Sequence, residues 1–315
     1  MKATDRRSIG RTGIEVTRLG LGGVFLARDA SEAEAGALID RAYALGLRYF
    51  DTAPMYGLGQ SERRYRQPLG RLDRSEFVIS TKVGRLLQED VGGAEPWHFD
   101  FSRDGIMRSF EASLRRLELD RVDILLIHDP DEHGDQALLE AFPTIAELRE
   151  QGLVGAIGAG MNQWEMELRF AGETDVDCFL LAGRYTLLEQ GALTEFLPYC
   201  EANEISVIAG GPYNSGILAS DLSESAHYNY ATAPPGMIER ARAIKAICDR
   251  HGVPLKAAAL QFILAHPAVA AVIPGAASVA EVEENARMVE VAIPTALWPE
   301  LREAGLLAEG APTPG

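Results

Sequence analysis

The chain has 315 residues, 47% hydrophobic and 24% charged, proportions that exclude a disordered chain and leave enough apolar mass for a sizeable core. A formal net charge of −16 argues against nucleic acid and anionic membrane as partners, and the short pairs Arg6-Arg7 and Arg63-Arg64 form no local basic patch. The first residues, Met1-Lys-Ala-Thr-Asp-Arg-Arg, carry charge where a signal peptide needs its apolar segment; with no apolar run of about eighteen residues, a cytoplasmic protein is expected.

Strand-like runs recur in chain order at Arg18–Leu21, Leu47–Asp51, Phe77–Lys82, Val122–His128, Val154–Gly158, Cys178–Gly183, Ile205–Ala209 and Val269–Pro274. Segments with helical apolar spacing lie between and after them: Ser31–Leu45, Ser61–Leu72, Arg103–Leu117, Ala137–Gln151, Gln163–Ala171, Gly191–Ala202, Ile238–Leu264 and Val279–Val289. Ser31-Glu-Ala-Glu34 has the hydroxyl-then-acid spacing of a capping box, with Gly46 as the matching stop. Ahead of the first strand, Arg7–Arg18 reads as a hairpin turning near Arg11-Thr12-Gly13. Repeated β-then-α units with short apolar strands predict an α/β fold, a (β/α)8 TIM barrel, rather than an open doubly wound sheet. No linker composition divides the chain, so one domain over 1–315 is expected. Two long loops, Gly84–Ser102 and Gly210–Gly236, follow strands and therefore belong to the C-terminal face, where such barrels carry their sites. Cys178, Cys200 and Cys248 are far apart and read as isolated thiols.

Three of the strand ends carry proton-transfer chemistry. Asp51-Thr-Ala-Pro-Met-Tyr56-Gly57 places an acid and a phenol after the second strand, the third ends in Lys82 and the fourth in His128. Taken singly, each is a common capping or packing residue. Together, a phenol, an amine, a carboxylate and an imidazole form a proton-transfer unit that needs no metal. Two rival readings use the same residues: His128-Asp-Pro-Asp-Glu-His133 as metal ligands on one loop, and Lys82 as a Schiff-base lysine. A non-catalytic barrel is the third alternative.

These residues resemble the aldo-keto reductases over nearly the whole chain. The match is carried by Asp51 with Tyr56-Gly57, Ser80-Thr-Lys82, Leu126-Ile-His128, Gly152-x2-Gly155-Ala-Ile-Gly158, and Ile273-Pro-Gly275 followed by Glu284-Asn285. The stretches His128–Asp131, Gly158–Trp164, Leu181–Tyr185 and Gly211–Gly216 are similar to the L-fucose dehydrogenase and D-threo-aldose 1-dehydrogenase branch. The resemblance implies a nicotinamide-dependent oxidoreductase with Tyr56 as acid and base, Lys82 favouring phenolate, Asp51 orienting Lys82, and His128 holding the substrate oxygen. It also implies that Gly211, Asn214, Ser215 and Gly216 cradle the pyrophosphate, that Ser278 lies in the cofactor segment, and that Glu284 and Asn285 address the adenine.

Departures from the family pattern are informative. Where the family has a lysine and, six residues on, an arginine gripping the 2′-phosphate of NADP, this chain has Gly275 and Glu281, so NAD is expected rather than NADP. Glu281 also reads simply as a first-turn helix acid. The family's nicotinamide-contacting side chains are replaced by Gly160-Met161, Ala182 and Gly210, leaving Asn162 and Tyr213 as candidates for amide recognition and ring stacking. Phe25, Trp97, His98 and Asp129 are candidates for the substrate opening, since polar groups beside aromatic faces suit a sugar. The expected reaction is oxidation of an aldose of the L-fucose, L-galactose or D-arabinose type at C1 to the lactone, with a pyridoxal-type alcohol or general aldehyde as alternative. A small-molecule partner and a monomer or weak homo-oligomer complete the expectation.

Overall fold

The computed structural model describes all residues except 28–30, 93–94 and 230. Eight parallel strands lie side by side in chain order: β1 (Leu21–Gly22), β2 (Tyr49–Asp51), β3 (Val78–Val83), β4 (Val122–His128), β5 (Val154–Met161), β6 (Cys178–Ala182), β7 (Ser206–Gly210) and β8 (Val269–Ile273). The sheet closes into a barrel. Gly20 donates to the Val272 carbonyl (2.9 Å), Gly22 donates to that of Pro274 (3.1 Å), and Val272 donates to that of Arg18 (2.9 Å). The expected (β/α)8 barrel is the observed one.

The two-residue period of a strand sorts side chains into two layers. Tyr49, Ile124, Leu126, Ala156, Leu180, Ile208, Ala271 and Ile273 fill the barrel interior. Phe50, Ile79, Leu125, Ile127, Phe179, Val207 and Val272 belong to the outer core against the helices. The same parity sends Asp51, Ser80, Lys82 and His128 inward, while Thr81 faces out and gives its hydroxyl to Glu62 (2.6 Å). The N-terminal hairpin, Arg6–Ser8 paired with Glu15–Thr17, contributes Ile9 and Val16 to the interior layer and plugs the bottom of the barrel. Gly10 N–H and the Ser8 carbonyl both bind Ser206 Oγ, at 2.8 and 3.1 Å.

Three expected helices are interrupted. Ile238–Leu264 is two helices, Pro235–Arg250 and Leu255–Leu264, because Gly252 takes a left-handed φ of 67° and Pro254 precedes the second helix. Gly191–Ala202 is a 3₁₀ turn at Gly191–Leu193 and then a helix at Phe196–Ala202. Ala137–Gln151 opens with a widened π turn before Phe142–Glu150, where Pro143 has no N–H to give. The capping box at Ser31 and Glu34 is present, with the Ser31 N–H held by Glu34 at 2.8 Å. A helix at Leu297–Glu303 and a small hairpin, Arg85–Leu87 with Trp97–Phe99, were not anticipated.

Candidate active site

Inward parity brings the polar strand ends together at the C-terminal mouth. Lys82 Nζ lies 3.0 Å from both oxygens of Asp51 and 2.9 Å from the Thr52 carbonyl. Ser80 Oγ donates to Asp51 Oδ1 at 2.7 Å, with the Tyr49 hydroxyl 3.0 Å behind it. Lys82 and Asp51 are each 1% exposed. Burial works to neutralise the ammonium, yet the Asp51 charge and the Tyr56 side chain outweigh it and push the Lys82 pKa up to about 12.

Tyr56 reaches this pair from the loop after β2. That loop folds back through left-handed backbone at Gly57, Leu58 and Gly59 (φ 62°, 51° and 84°). Lys82 Nζ then stands 4.6 Å from the Tyr56 ring centroid and shares a hydrogen bond with its side chain. The His128 ring meets Tyr56 edge-on, centroids 6.0 Å apart and planes at 87°. Burial first, then the Lys82 and Arg85 cations, hold the His128 pKa well below its usual value, so the imidazole is neutral at pH 7. Its Nδ1 is buried and has no hydrogen-bond partner among the described residues.

A second cluster stands beside His128. Gly84 turns the chain out of β3 with φ 97°, its Cα so close to Phe101 that a Cβ would come within 2.3 Å of the ring. The hairpin that follows pairs Arg85 with Phe99 and Leu87 with Trp97. The Arg85 guanidinium carbon lies 4.9 Å from the centroids of both Trp97 and Phe99 and pairs with the Asp129 carboxylate. Asp129, with φ 46°, follows His128 directly, and its Oδ2 is 3.7 Å from His128 Nε2. Arg85, Phe99, Asp129 and Asn162 line a cavity of about 250 Å³. His98 lies on the opposite, exposed face of its strand and is not brought to this cluster. The segment after the hairpin's first strand is anchored by Arg116, which joins Asp90 (2.7 Å) to the buried Glu62 (2.6 Å). Arg85 escaped the sequence reading; its signal was its place three residues after Lys82 in the long loop.

The proposed cofactor residues form a band along the ends of β5 to β8. Gly211, Asn214, Ser215 and Gly216 all have left-handed backbone, with φ of 56°, 47°, 58° and 98°. Such turns expose backbone N–H groups and suit the diphosphate of a dinucleotide. The Asn214 side chain is already engaged, accepting from Thr186 (2.6 Å) and donating to the Gly183 carbonyl (2.9 Å). Asn162 Nδ2 donates to the Ala182 carbonyl at 2.6 Å. Tyr213, the candidate for ring stacking, gives its hydroxyl to Asn285 (2.7 Å) and so joins the post-β7 loop to the helix Val279–Glu290. Ser278 caps that helix, and the Glu281 carboxylate accepts from the Ala277 N–H at 2.9 Å. Glu284 pairs with Lys256 at 2.6 Å. Phe25 is set against Gly275: a Cβ there would lie 2.3 Å from its ring.

Among the described residues no three His, Cys, Asp or Glu side chains gather in a metal-holding group. A closed parallel barrel whose mouth joins a phenol, a charged lysine and a neutral imidazole belongs to the class of barrel enzymes equipped for proton transfer to small molecules. The profile of the Aldo/keto reductase family matches residues 18–305, and the chain belongs to that family. It is therefore an NAD(P)-dependent oxidoreductase of small carbonyl compounds. It is 41% identical to D-threo-aldose 1-dehydrogenase of a Pseudomonas species, covering 96% of this chain and 97% of that one. It is 39% identical to pyridoxal 4-dehydrogenase of Microbacterium luteolum, covering 98% and 99%. Among solved structures, the holo form of an aldo-keto reductase from Bacillus halodurans superposes with a TM-score of 0.81 at 27% identity, covering 97% of each chain. No helix among the described residues is long and apolar enough to cross a membrane.

Proposed function

We propose that this aldo-keto reductase oxidises an aldose at C1 to the lactone, using NAD, with Tyr56 as the acid-base group. The observation that carries the proposal is the contact of Tyr56 with a lysine kept charged by a buried carboxylate. A free phenol near pKa 10 is a poor base at neutral pH, and a neighbouring full positive charge favours its phenolate. The Tyr56 oxygen then takes the C1 hydroxyl proton as the C1–H bond breaks and the lactone carbonyl forms. The nicotinamide cofactor, when bound, supplies the hydride acceptor. Asp51 keeps Lys82 protonated and aimed. His128, neutral, can offer an N–H to the substrate oxygen without repelling the Lys82 charge.

Residues 211–216, Asn162, Ser278, Glu284 and Asn285 would hold the cofactor. NAD is favoured over NADP because the two positions where the family pattern places cations hold Gly275, which is covered by Phe25, and Glu281, an anion, while Lys256 is paired with Glu284. The aldose reading is supported by the 41% relative and by the polar cavity next to His128, with Phe99 in its wall. The second reading, a pyridoxal-type substrate, is favoured by the nearly equal identity to pyridoxal 4-dehydrogenase. Nicotinamide absorbance with NAD or NADP, measured across aldoses, polyols and pyridoxal, tests both. Turnover of an aldose with NAD is expected. Turnover confined to pyridoxal, or faster with NADP, overturns the corresponding part of the proposal.

A further inference from the structure

We infer that Arg85, gripped by Asp129 and flanked by Trp97 and Phe99, determines substrate specificity by reading the hydroxyls next to the reacting carbon of an aldose. This rests on the aldose reading above. The pair is poorly explained as a structural brace. Its side chains are only 17% and 26% exposed, and a half-desolvated ion pair repays its own desolvation with little to spare. Asp129 is moreover held in the left-handed region, which costs a non-glycine residue conformational energy. What the arrangement does provide is fixed chemistry at one point.

Asp129 Oδ2 serves Arg85 and stands 3.7 Å from His128 Nε2, while Oδ1 has no hydrogen-bond partner among the described residues. Arg85 lines the cavity and is restrained by two aromatic rings and a carboxylate; its Nε is buried and its Nη2 serves Asp129, so the guanidinium N–H groups left for a ligand are presented with little rotamer entropy to lose. Guanidinium N–H donors beside a carboxylate acceptor complement two adjacent hydroxyls, each of which both donates and accepts. If His128 holds the C1 oxygen, the groups reaching the Arg85–Asp129 pair are the hydroxyls on C2 and C3. Pyridoxal carries a phenol and no aliphatic vicinal diol, so the same pair would serve it poorly.

The test uses the full chain with saturating NAD, an aldose the parent enzyme turns over, and the 2-deoxy and 3-deoxy analogues of that sugar. Arg85→Met keeps the length and the apolar contact with the rings, and Asp129→Asn is nearly isosteric, so one of the two variants should fold even where the other does not. For each, kcat/KM on the parent sugar should fall by about tenfold or more, chiefly through KM, the loss of a charge-assisted hydrogen bond. On at least one deoxy analogue the loss should shrink to about twofold, because the partner hydroxyl is already missing. The NAD dissociation constant, followed by protein fluorescence, should stay within about twofold. Equal losses on the sugar and both deoxy analogues would reduce the pair to a structural role and overturn the inference. So would a variant that keeps parental kcat/KM on the sugar. A parent enzyme that oxidises pyridoxal but no aldose would instead overturn the underlying reading, and this inference with it.

Discussion

Each end of the barrel buries a cation, and the two are held by opposite means. At the plugged end Arg18, 4% exposed, donates to the carbonyls of Leu264, Val269 and Ala270. At the open end Lys82, 1% exposed, faces the Asp51 carboxylate. Burial, with the neighbouring Arg7, pulls the Arg18 pKa down to about 10, since neutral carbonyls replace water only in part. Lys82, buried more deeply, is nonetheless pushed up to about 12. The charge of the partner, not the depth of burial, decides the outcome. A cation bound to carbonyls ties the start of β8 to the C-terminus of helix Leu255–Leu264; a cation bound to a carboxylate stays charged where a phenol can use it.

The sharpest way to break this contrast is to exchange the consequences of substitution at the two ends. Tyr56→Phe should lower kcat by about 10²–10⁴-fold, the usual worth of an acid-base group, with the melting temperature little changed. Arg18→Met should do the reverse, costing about 1–3 kcal/mol of stability through orphaned carbonyls while the folded fraction keeps its kcat. Steady-state kinetics and thermal unfolding on both variants decide the matter, and a Tyr56→Phe enzyme near parental turnover would remove the acid-base role.

Asp51→Asn tests whether the carboxylate is the decisive partner. It leaves Lys82 buried among neutral groups, as Arg18 is, and should cost about 3–5 kcal/mol in denaturant unfolding. A cost below about 1 kcal/mol would mean that Ser80 and the Thr52 carbonyl suffice to hold the ammonium.

Cofactor preference should respond more modestly. NAD should exceed NADP by about tenfold in kcat/KM, and Glu281→Arg should shift the ratio toward NADP by a similar factor. An unchanged ratio would mean that another segment reads the ribose.

The smallest expected effect is a slope. Each end also buries an imidazole, His128 at the mouth and His266 at the plugged end, and burial brings the His266 pKa down to about 4. A base whose folded pKa is lowered contributes stability that is full above its unfolded value near 6.5 and is lost as pH falls toward about 4. His266→Asn should therefore flatten the fall in melting temperature across that window, and parallel curves would assign the acid sensitivity elsewhere.

The strand pattern, and the placing of Asp51, Lys82 and His128 at strand ends, were legible because both rest on short local segments. The capping box at Ser31 was legible because its partners are three residues apart. The break at Gly252 and Pro254 was written in the sequence too, but the apolar helical period running through it was given more weight. Arg85 and His98 were harder. The three-residue strands carrying them are too short to show a period, and only the pairing of Arg85 with Phe99 reveals which face each residue takes. Contacts such as Phe25 with Gly275 and Tyr213 with Asn285 join distant segments of chain, and no local pattern records them.

The contact of Phe25 with Gly275 constrains the order in which this protein can change. A lysine installed at position 275 would drive its Cβ into the ring, so the substitution that should add a phosphate grip arrives as a steric fault while Phe25 remains. Shortening Phe25 first empties that space at the expense of whatever the ring covers, and Gly275→Lys can then be accommodated. On the proposed NAD reading, Gly275→Lys and a smaller side chain at position 25 are therefore coupled replacements, whereas Glu281→Arg needs neither.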